Sequence, residues 1–476
     1  MDVQVAVVGG GPVGLWLAAE LRLGGASVVV LESRSEPDPR SKALTLHPRT
    51  LELLASRGLG NRFLAEGARV PAGHFAVLEQ RLDFSVLDTP FPFTLVVPQA
   101  RTERLFEEHA RDLGVDVRRG QRVTGVVPGE DSVTVHVDGH DLVADYVVGC
   151  DGTRSTVRAA AGIPFSGTPS TVWGWLADVV LDEPPTGTTS WVTEDGLVMV
   201  VRLAADLHRV VGITPADVRA DRPGEPTLAE LRAKTAAVAG TDFGMRDPVW
   251  LSRFGDASRL ADRYRAGRLL LAGDAAHQHF PAGGVGLNVG VQDAANLGWK
   301  LAAVVRGRAP EALLDTYEAE RRRVGADLLD HTRAQTALMT AFTPRGLALR
   351  GLVNRLVATH PGVSADLAGR LSGLAVTYPA AEGDHPLVGR RAPHGDGLLA
   401  ALRPDRYVLL DLTGTLGDVD GVVVLRGEVG DRPGWRGVRA ALVRPDGHVA
   451  WADRPDDDLP AATRAAVAAL PLILGR

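Results

Sequence analysis

The chain opens on an apolar run, Val3 to Val8, broken only by Gln4, which ends at Gly9-Gly10-Gly11 and is followed by a helical pattern from Pro12. An apolar run of this length bounded by turn residues reads as a buried strand, and proline suits a first helical position. A second apolar run, Ser27 to Leu31, closes on an acid, Glu32. Downstream, a helix is expected from Pro48 with Leu51 and Leu54 on one face. A strand near Leu95 to Val97 ends at Pro98-Gln99. Thr102 to Leu113 then spaces Leu105, Phe106, His109 and Leu113 as one inward helical face. Val115 to Val148 alternates in short strands and stops at Cys150-Asp151-Gly152.

From about residue 168 to 265 the pattern changes. Short strands dominate (Val179 to Leu181, Leu197 to Leu203, His208 to Ile213), with one helix near Leu228 to Val238. This predicts a β-rich domain, 168–265, inserted into the first fold. The first fold resumes with a strand, Arg268 to Ala272, and two long helices, roughly Gly286 to Arg306 and Glu311 to Met339. Its two pieces are thus 1–167 and 266–385. His385 to Asp396 is rich in Gly and Pro and reads as a linker. Residues 396–476 suffice for one small α/β domain. It is expected to hold a strand, Tyr407 to Leu412, a hairpin from Ala440 to Trp451 turning at Pro445-Asp446-Gly447, and a helical tail, Pro460 to Leu470.

The first motif carries chemistry. Gly9, Gly11 and Gly14 form a GxGxxG between strand and helix, and Glu32 lies eighteen residues beyond Gly14. That order is a dinucleotide site. Gly9 permits the tight turn, Gly11 lets backbone approach a pyrophosphate, and Gly14 lets helix and strand pack closely. Amides at the helix start face phosphate oxygens. Glu32 is placed to accept from a ribose hydroxyl and disfavours a 2′-phosphate, so FAD or NAD is favoured over NADP.

Composition narrows the partners. The 476 residues carry a formal charge of −6 with no basic run, which argues against nucleic acid or an anionic membrane. No apolar stretch reaches the ~18 residues that span a bilayer. The first strand begins at Val3, which is expected to leave no room for a signal peptide. Cys150 is the single cysteine, so intrachain disulfides are impossible and no metal site is expected. The chain reads as soluble and cytoplasmic, a monomer or homodimer.

Two more motifs lie far downstream. Asp151-Gly152 begins a turn at a strand end that leads into a helix. Gly273-Asp274-Ala275-Ala276-His277 follows the strand ending at Ala272 and continues through Pro281-Ala282-Gly283-Gly284-Val285-Gly286-Leu287-Asn288 into a long helix. Asp274 at a strand end can hold a ribitol or ribose hydroxyl. Gly283, Gly284 and Gly286 permit close approach to a flat ring, and the amides opening the next helix can face the N1–C2=O edge of a reduced, anionic isoalloxazine.

These motifs, with Ser41-Lys42-Ala43, Val97-Pro98-Gln99 and Trp250-Leu251-Ser252-Arg253, resemble the class A flavoprotein aromatic hydroxylases, the para-hydroxybenzoate hydroxylase family, essentially end to end. Within it the likeness is to aromatic-polyketide hydroxylases of the anhydrotetracycline hydroxylase kind and to rifampicin monooxygenase. The resemblance implies an α/β fold: a Rossmann-like FAD domain of GR2 type, an inserted β-sheet substrate domain and a thioredoxin-like C-terminal domain. Here the last has no cysteine, which leaves it a structural or assembly role.

The resemblance also implies noncovalent FAD held by Gly9, Gly11, Pro12, Gly14, Glu32 and Ser33 and by Arg40 and Lys42. Gln99 and Arg101 would lie near the ribitol or pyrophosphate, with Val123, Asp151, Gly152, Gly273, Asp274, Pro281, Gly284, Gly286, Leu287 and Asn288 completing the set. Pro281, Gly283 and His279 would line the reacting face. NADH or NADPH would visit transiently, since no second dinucleotide motif is present, and O₂ would add to reduced flavin as a C4a-hydroperoxide that transfers oxygen to a polycyclic aromatic.

Relatives of this kind carry Ile-His-Leu/Pro-Pro and Gly-Gly-Gln-Gly in the flavin loop, where this chain has Gln278-His279-Phe280-Pro281 and Gly283-Gly284-Val285-Gly286. Val285 therefore removes a polar side chain beside the expected flavin edge. His277 reads as structural, and His279 faces either substrate or scaffold. His74 is a candidate wall residue, and Trp173, Trp175, Trp191 and Met199 are either substrate-facing or core. Trp173-Gly174-Trp175 is similar to a flavin halogenase motif, but Ala177-Asp178 replaces the Ile-Pro that should follow. Baeyer–Villiger oxygenation, rifamycin-type antibiotic inactivation and non-catalytic antibiotic binding stay open as alternatives to biosynthetic hydroxylation.

Overall fold

Val5 pairs with Val28 on one side and Tyr146 on the other, and that register places Val3–Val8 at the centre of a parallel sheet. The computed structural model describes residues 2–395, 397–430, 432 and 434–470. Its largest sheet runs Arg265–Ala266, Leu269–Leu271, His140–Gly149, Val3–Val8, Val28–Glu32, Asp116–Arg119 in spatial order, with Val133–Val137 and Val123–Pro128 attached antiparallel to His140–Gly149. The central strands Val3–Val8, Val28–Glu32 and Leu269–Leu271 are dominated by Val and Leu because both faces are covered. The helix Pro12–Leu23 buries Leu15, Trp16, Leu17 and Leu21 against this sheet. The helix Gly286–Val305 crosses behind it so closely that a Cβ on Gly298 would lie 2.5 Å from Glu20 Cβ.

A small sheet of Phe165–Thr168, Ser258–Ala261 and His277–Gln278 forms where the chain leaves and re-enters this layer. Between those crossings five antiparallel strands stand in the order Thr189–Thr193, Gly196–Arg202, His208–Ile213, Trp173–Val180, Arg246–Gly255. Side chains alternate between the two faces. Trp175, Val198 and Val210 pack with Leu231 and Val238 of the helix Leu228–Ala239. Leu197 and Ile213 join the opposite cluster, with Phe280 and Val285.

Several elements differ from expectation. The strand expected at Val179 to Leu181 is the end of the longer Trp173–Val180. Arg246–Gly255 is a strand with few apolar residues because it is an edge, where exposure removes the alternation. The long helix expected from Glu311 begins with a 3₁₀ turn, Glu311–Leu314, before Asp315–Met339. Helices Pro344–Thr359 and Pro361–Ser372 had no clean apolar stripe. On the first of them Leu349, Leu352 and Leu356 are exposed while Arg350 is buried, which inverts the usual pattern.

The C-terminal sheet runs Val422–Arg426, Tyr407–Asp411, Ala440–Val443, Val449–Ala452, the first pair parallel and the others antiparallel, with the helix Leu459–Ala468 beside it. Asp396, the expected end of the linker, and 471–476 lie outside the described residues. The hairpin turn docks through buried charge. Arg57 pairs with Glu20 at 2.8 Å, both side chains fully buried, and donates to the carbonyls of Leu402 and Pro445. Glu320 takes Lys300 at 2.7 Å and Arg444 at 2.7 Å, and Arg444 also holds Asp446 at 2.6 Å.

Candidate active site

Three glycines bring the widely spaced motifs together. Gly9 has φ +108°, and a Cβ there would sit 2.4 Å from the carbonyl oxygen of Cys150. A Cβ on Gly14 would sit 2.0 Å from the carbonyl oxygen of Gly9, so helix and strand meet only without side chains. Gly273 lies against Val13, 3.0 Å from its Cγ2 on the same measure. By contrast, Gly11 and Gly152 face open space. Gly11 is also the N-cap of Pro12–Leu23 and supplies no side-chain cap, so the first-turn amides are available to an anionic group.

Glu32 ends its strand with Oε2 accepting from the Gly10 amide at 2.7 Å and Oε1 from the Arg34 amide at 2.9 Å. Burial pushes its carboxyl up, but these amides and the Arg34 guanidinium outweigh that and hold it below its ordinary range. Glu32 thus shapes the glycine loop and keeps lone pairs for a ribose hydroxyl. Asp151 Oδ2 accepts from the amides of Thr156 and Val157 at 2.6 and 3.3 Å, whereas Oδ1 is buried without a partner. Burial raises that carboxyl. Asp274 is exposed on the turn Gly273–Ala275. The uncapped amides, the open glycines and the orphaned Asp151 oxygen fit a dinucleotide.

Other expected contacts have different partners. Gln99 accepts from the Ala43 amide at 2.9 Å and donates to Glu103 at 2.7 Å, so its side chain holds the 41–43 segment in place. Arg101 donates to Glu66 at 2.8 Å. Val123 packs in the core. Arg40 pairs with Asp38 at 2.9 Å and lies 5.8 Å from the Trp250 ring; Ser33 and Lys42 are exposed.

The flavin loop is set by two successive left-handed glycines, Gly283 (φ +73°) and Gly284 (φ +65°), after the exposed Pro281. His47 Nε2 donates to the Gly283 carbonyl at 2.9 Å. The carboxamide of Asn288 is fully engaged. Oδ1 accepts from the His47 amide and the Thr50 hydroxyl at 2.7 and 2.8 Å, and Nδ2 donates to the carbonyls of Thr45 and Gly284 at 3.1 and 2.9 Å. Asn288 therefore fixes the loop, leaving only its backbone for a cofactor. Beyond it the helix Gly286–Val305 starts without a side-chain cap, and Leu287 is half-buried in its first turn.

The histidines separate cleanly. His277 is buried on Asp293 at 2.8 Å, a scaffold role. His279 Nδ1 donates to the Phe280 carbonyl at 2.7 Å, and Nε2 lies 3.0 Å from where a Gly286 Cβ would be. Burial lowers its pKa to about 4 and that of His74 to about 4, so both rings are neutral near pH 7. Trp175 packs on Gly212 and Trp191 on Phe243, on the helix-covered side of the sheet; Trp175 is core and Trp191 packs half-buried against it. Trp173 donates its indole N–H to the Arg219 carbonyl at 3.1 Å. Met199 alternates onto the same face as Leu197. Val285 is buried among Phe280, Val172 and Leu197, which accounts for an apolar residue in the loop.

Sequence reasoning missed Arg209, which is buried on the sheet face that also carries Leu197 and Ile213. It pairs with Asp178 at 2.7 Å and donates to the Lys42 carbonyl at 3.3 Å. It also missed His47, Gln335 and Arg350, none of which sits in a motif.

The FAD binding domain family matches residues 2–332. Rifampicin monooxygenase of Streptomyces venezuelae is 46% identical over 473 residues, 96% of this chain and 97% of that protein. The 12-dehydrotetracycline 5-monooxygenase/anhydrotetracycline 6-monooxygenase of Streptomyces rimosus is 43% identical over 488 residues, 96% of each. Among solved structures, anhydrotetracycline hydroxylase from Streptomyces rimosus matches with a TM-score of 0.88 at 42% identity, covering 99% of both chains.

Proposed function

The chain belongs to the FAD binding domain family and is a flavin-dependent monooxygenase, and we propose that it hydroxylates a large polycyclic aromatic compound of the polyketide or ansamycin kind. The observation that carries this reading is the apolar face that Leu197, Ile213 and Phe254 of the five-stranded sheet turn toward Phe280, Ala282 and Val285 of the flavin loop. Phe254 and Phe280 lie 5.3 Å apart with their ring planes tilted by 40°, an aromatic contact that suits a water-poor site.

Bound FAD, reduced by NADH or NADPH, supplies the electrons and activates O₂. The residues do the remainder. Amides of Gly11, Val13 and Gly14 would receive the pyrophosphate, Glu32 and Asp274 would accept ribose or ribitol hydroxyls, and the first turn of Gly286–Val305 would stabilise negative charge on the ring. Apolar residues on both sides exclude water. His74 and His279, neutral, offer hydrogen bonds without adding charge.

The C-terminal sheet has the strand order of a small thioredoxin core, with no helix between its parallel strands and no cysteine. We read it as a docking domain of a cytoplasmic monomer or homodimer. Among the described residues no helix is long and apolar enough to cross a membrane, and no group of side chains could hold a metal ion.

The test is a panel of tetracycline-type, angucycline-type and rifamycin-type compounds with purified holoenzyme, following NADH and NADPH oxidation together with product mass. A ligand that accelerates oxidation and gains one oxygen supports the proposal. Ring connectivity separates hydroxylation from Baeyer–Villiger insertion. Binding without NAD(P)H oxidation by any member would overturn it in favour of sequestration.

A further inference from the structure

Two adjacent buried residues, Ala76 (φ +51°) and Val77 (φ +52°), hold the left-handed conformation that glycine alone adopts freely. For a β-branched residue this is a genuine outlier, and such strain persists only where surrounding contacts over-determine it. The contacts are specific. Gln335 Oε1 accepts from the Ala76 amide at 2.9 Å. Arg350 donates to the carbonyls of Ala76 at 3.1 Å, Val77 at 2.9 Å and Leu338 at 2.7 Å. Arg350 is 6% exposed, and its guanidinium is directed onto these backbone carbonyls. A buried charge used this way is a costly means of holding a loop.

The strained pair touches the flavin loop through the same side chains. A Cβ on Gly283 would lie 3.2 Å from Gln335 Nε2 and 2.8 Å from Leu371 Cδ1, while Leu371 Cδ2 would lie 2.5 Å from a Cβ on Gly73. One carboxamide and one leucine thus bridge the 73–76 stretch to Gly283. Phe75, Ala76, Val77 and Leu78 share an apolar cluster with Phe280 and Val285. Gln335 Nε2 itself is buried without a partner, so the carboxamide is held by its oxygen alone while its N–H₂ end faces Gly283.

We propose that Gln335 and Arg350 are positioning residues that fix Ala76–Val77 as the buried backing behind Gly283, and so set where the aromatic ligand can lie against that loop. The proposal rests on the aromatic-ligand reading above. It makes the depth of the ligand against the flavin loop depend on two side chains that do not touch the reacting atoms.

The test titrates holoenzyme with 1,8-dihydroxyanthraquinone, followed by flavin fluorescence, with FAD affinity measured in parallel. Arg350→Met and Gln335→Leu are each expected to weaken probe binding about tenfold, equivalent to one lost interaction of about 1.4 kcal/mol, with FAD affinity nearly unchanged. Ala76→Gly, which adopts the left-handed conformation without help, should restore most of the loss in the Arg350→Met background. Probe and FAD affinities falling together, an unchanged probe affinity, or no restoration by Ala76→Gly would each overturn the proposal. Should Arg350→Met not fold, Arg350→Lys, which keeps the charge and loses the fork, is judged by the same criteria. Failure of the wild-type enzyme to bind the probe would instead remove the aromatic-ligand reading, and the proposal with it, before any variant is compared.

Discussion

His277 Nε2 lies 2.8 Å from Asp293 Oδ2, and Asp293 Oδ1 takes the Arg321 guanidinium at 2.7 Å, with all three side chains fully buried. Oδ2 also accepts from the Gly273 amide at 3.1 Å. One carboxylate in the helix Gly286–Val305 therefore anchors the start of the Gly273-Asp274 turn. Burial opposes ionisation of Asp293, but Arg321 and His277 outweigh it and keep its pKa below the usual range.

Asp293→Asn should lower stability by about 3–5 kcal/mol, because it leaves Arg321 buried without its counter-charge. Thermal unfolding of the apoprotein measures this. A melting point equal to wild type would show that the carboxylate is dispensable.

Asp274→Ala should leave the melting point of the apoprotein unchanged, since Asp274 is exposed on its turn. FAD affinity should fall by a factor corresponding to about 1.5–3 kcal/mol, the worth of a hydrogen bond to a charged group. A variant that purifies fully yellow with wild-type FAD affinity would remove Asp274 from the cofactor site.

Gly11→Ala distinguishes a cradle from a packing glycine. A Cβ at Gly11 meets nothing within 4 Å, whereas one at Gly14 would collide with backbone. The expected outcome is a stable Gly11→Ala apoprotein with at least tenfold weaker FAD binding, and an unstable Gly14→Ala. Unchanged FAD affinity in Gly11→Ala would argue against pyrophosphate at this glycine.

Stability should decline as pH falls from about 6.5 toward 4. Burial lowers the pKa of His47 to about 4 and of His448 to about 4, only partly offset by the Gly283 carbonyl and by Asp446. Between those limits the unfolded chain binds more protons than the folded one, so the stabilisation is complete above about 6.5 and lost on acidification. Each group contributes up to about 1.4 kcal/mol per pH unit within the window. Urea midpoints at pH 7.5 and 5.0 measure the slope, and His448→Gln should flatten it. An equally steep slope in that variant would assign the acid sensitivity to other groups.

The parallel core was legible because strands buried on both faces are predominantly apolar, as Val5–Val8 and Val28–Leu31 are. The three glycine motifs were legible because only glycine satisfies positions such as Gly9 and Gly283. What resisted reading was polar residues whose role depends on distant partners. Gln99 and Asn288 look like cofactor ligands in their motifs, yet their carboxamides brace neighbouring backbone. Arg350 sits on a helix whose leucines are exposed, so periodicity pointed nowhere near the loop it clamps. Trp175 and Trp191 could be assigned to the helix-covered side only once strand register fixed which face they occupy.

Oxygen transfer by bound flavin is tested most directly with ¹⁸O₂. Holoenzyme, NADPH or NADH and a polycyclic aromatic that accelerates its oxidation are mixed under labelled gas, and the product is weighed by mass spectrometry. The expected result is incorporation of one ¹⁸O atom per product, with one reduced nicotinamide consumed in each coupled turnover. A product of unchanged mass, or oxygen drawn from water, would contradict a monooxygenase.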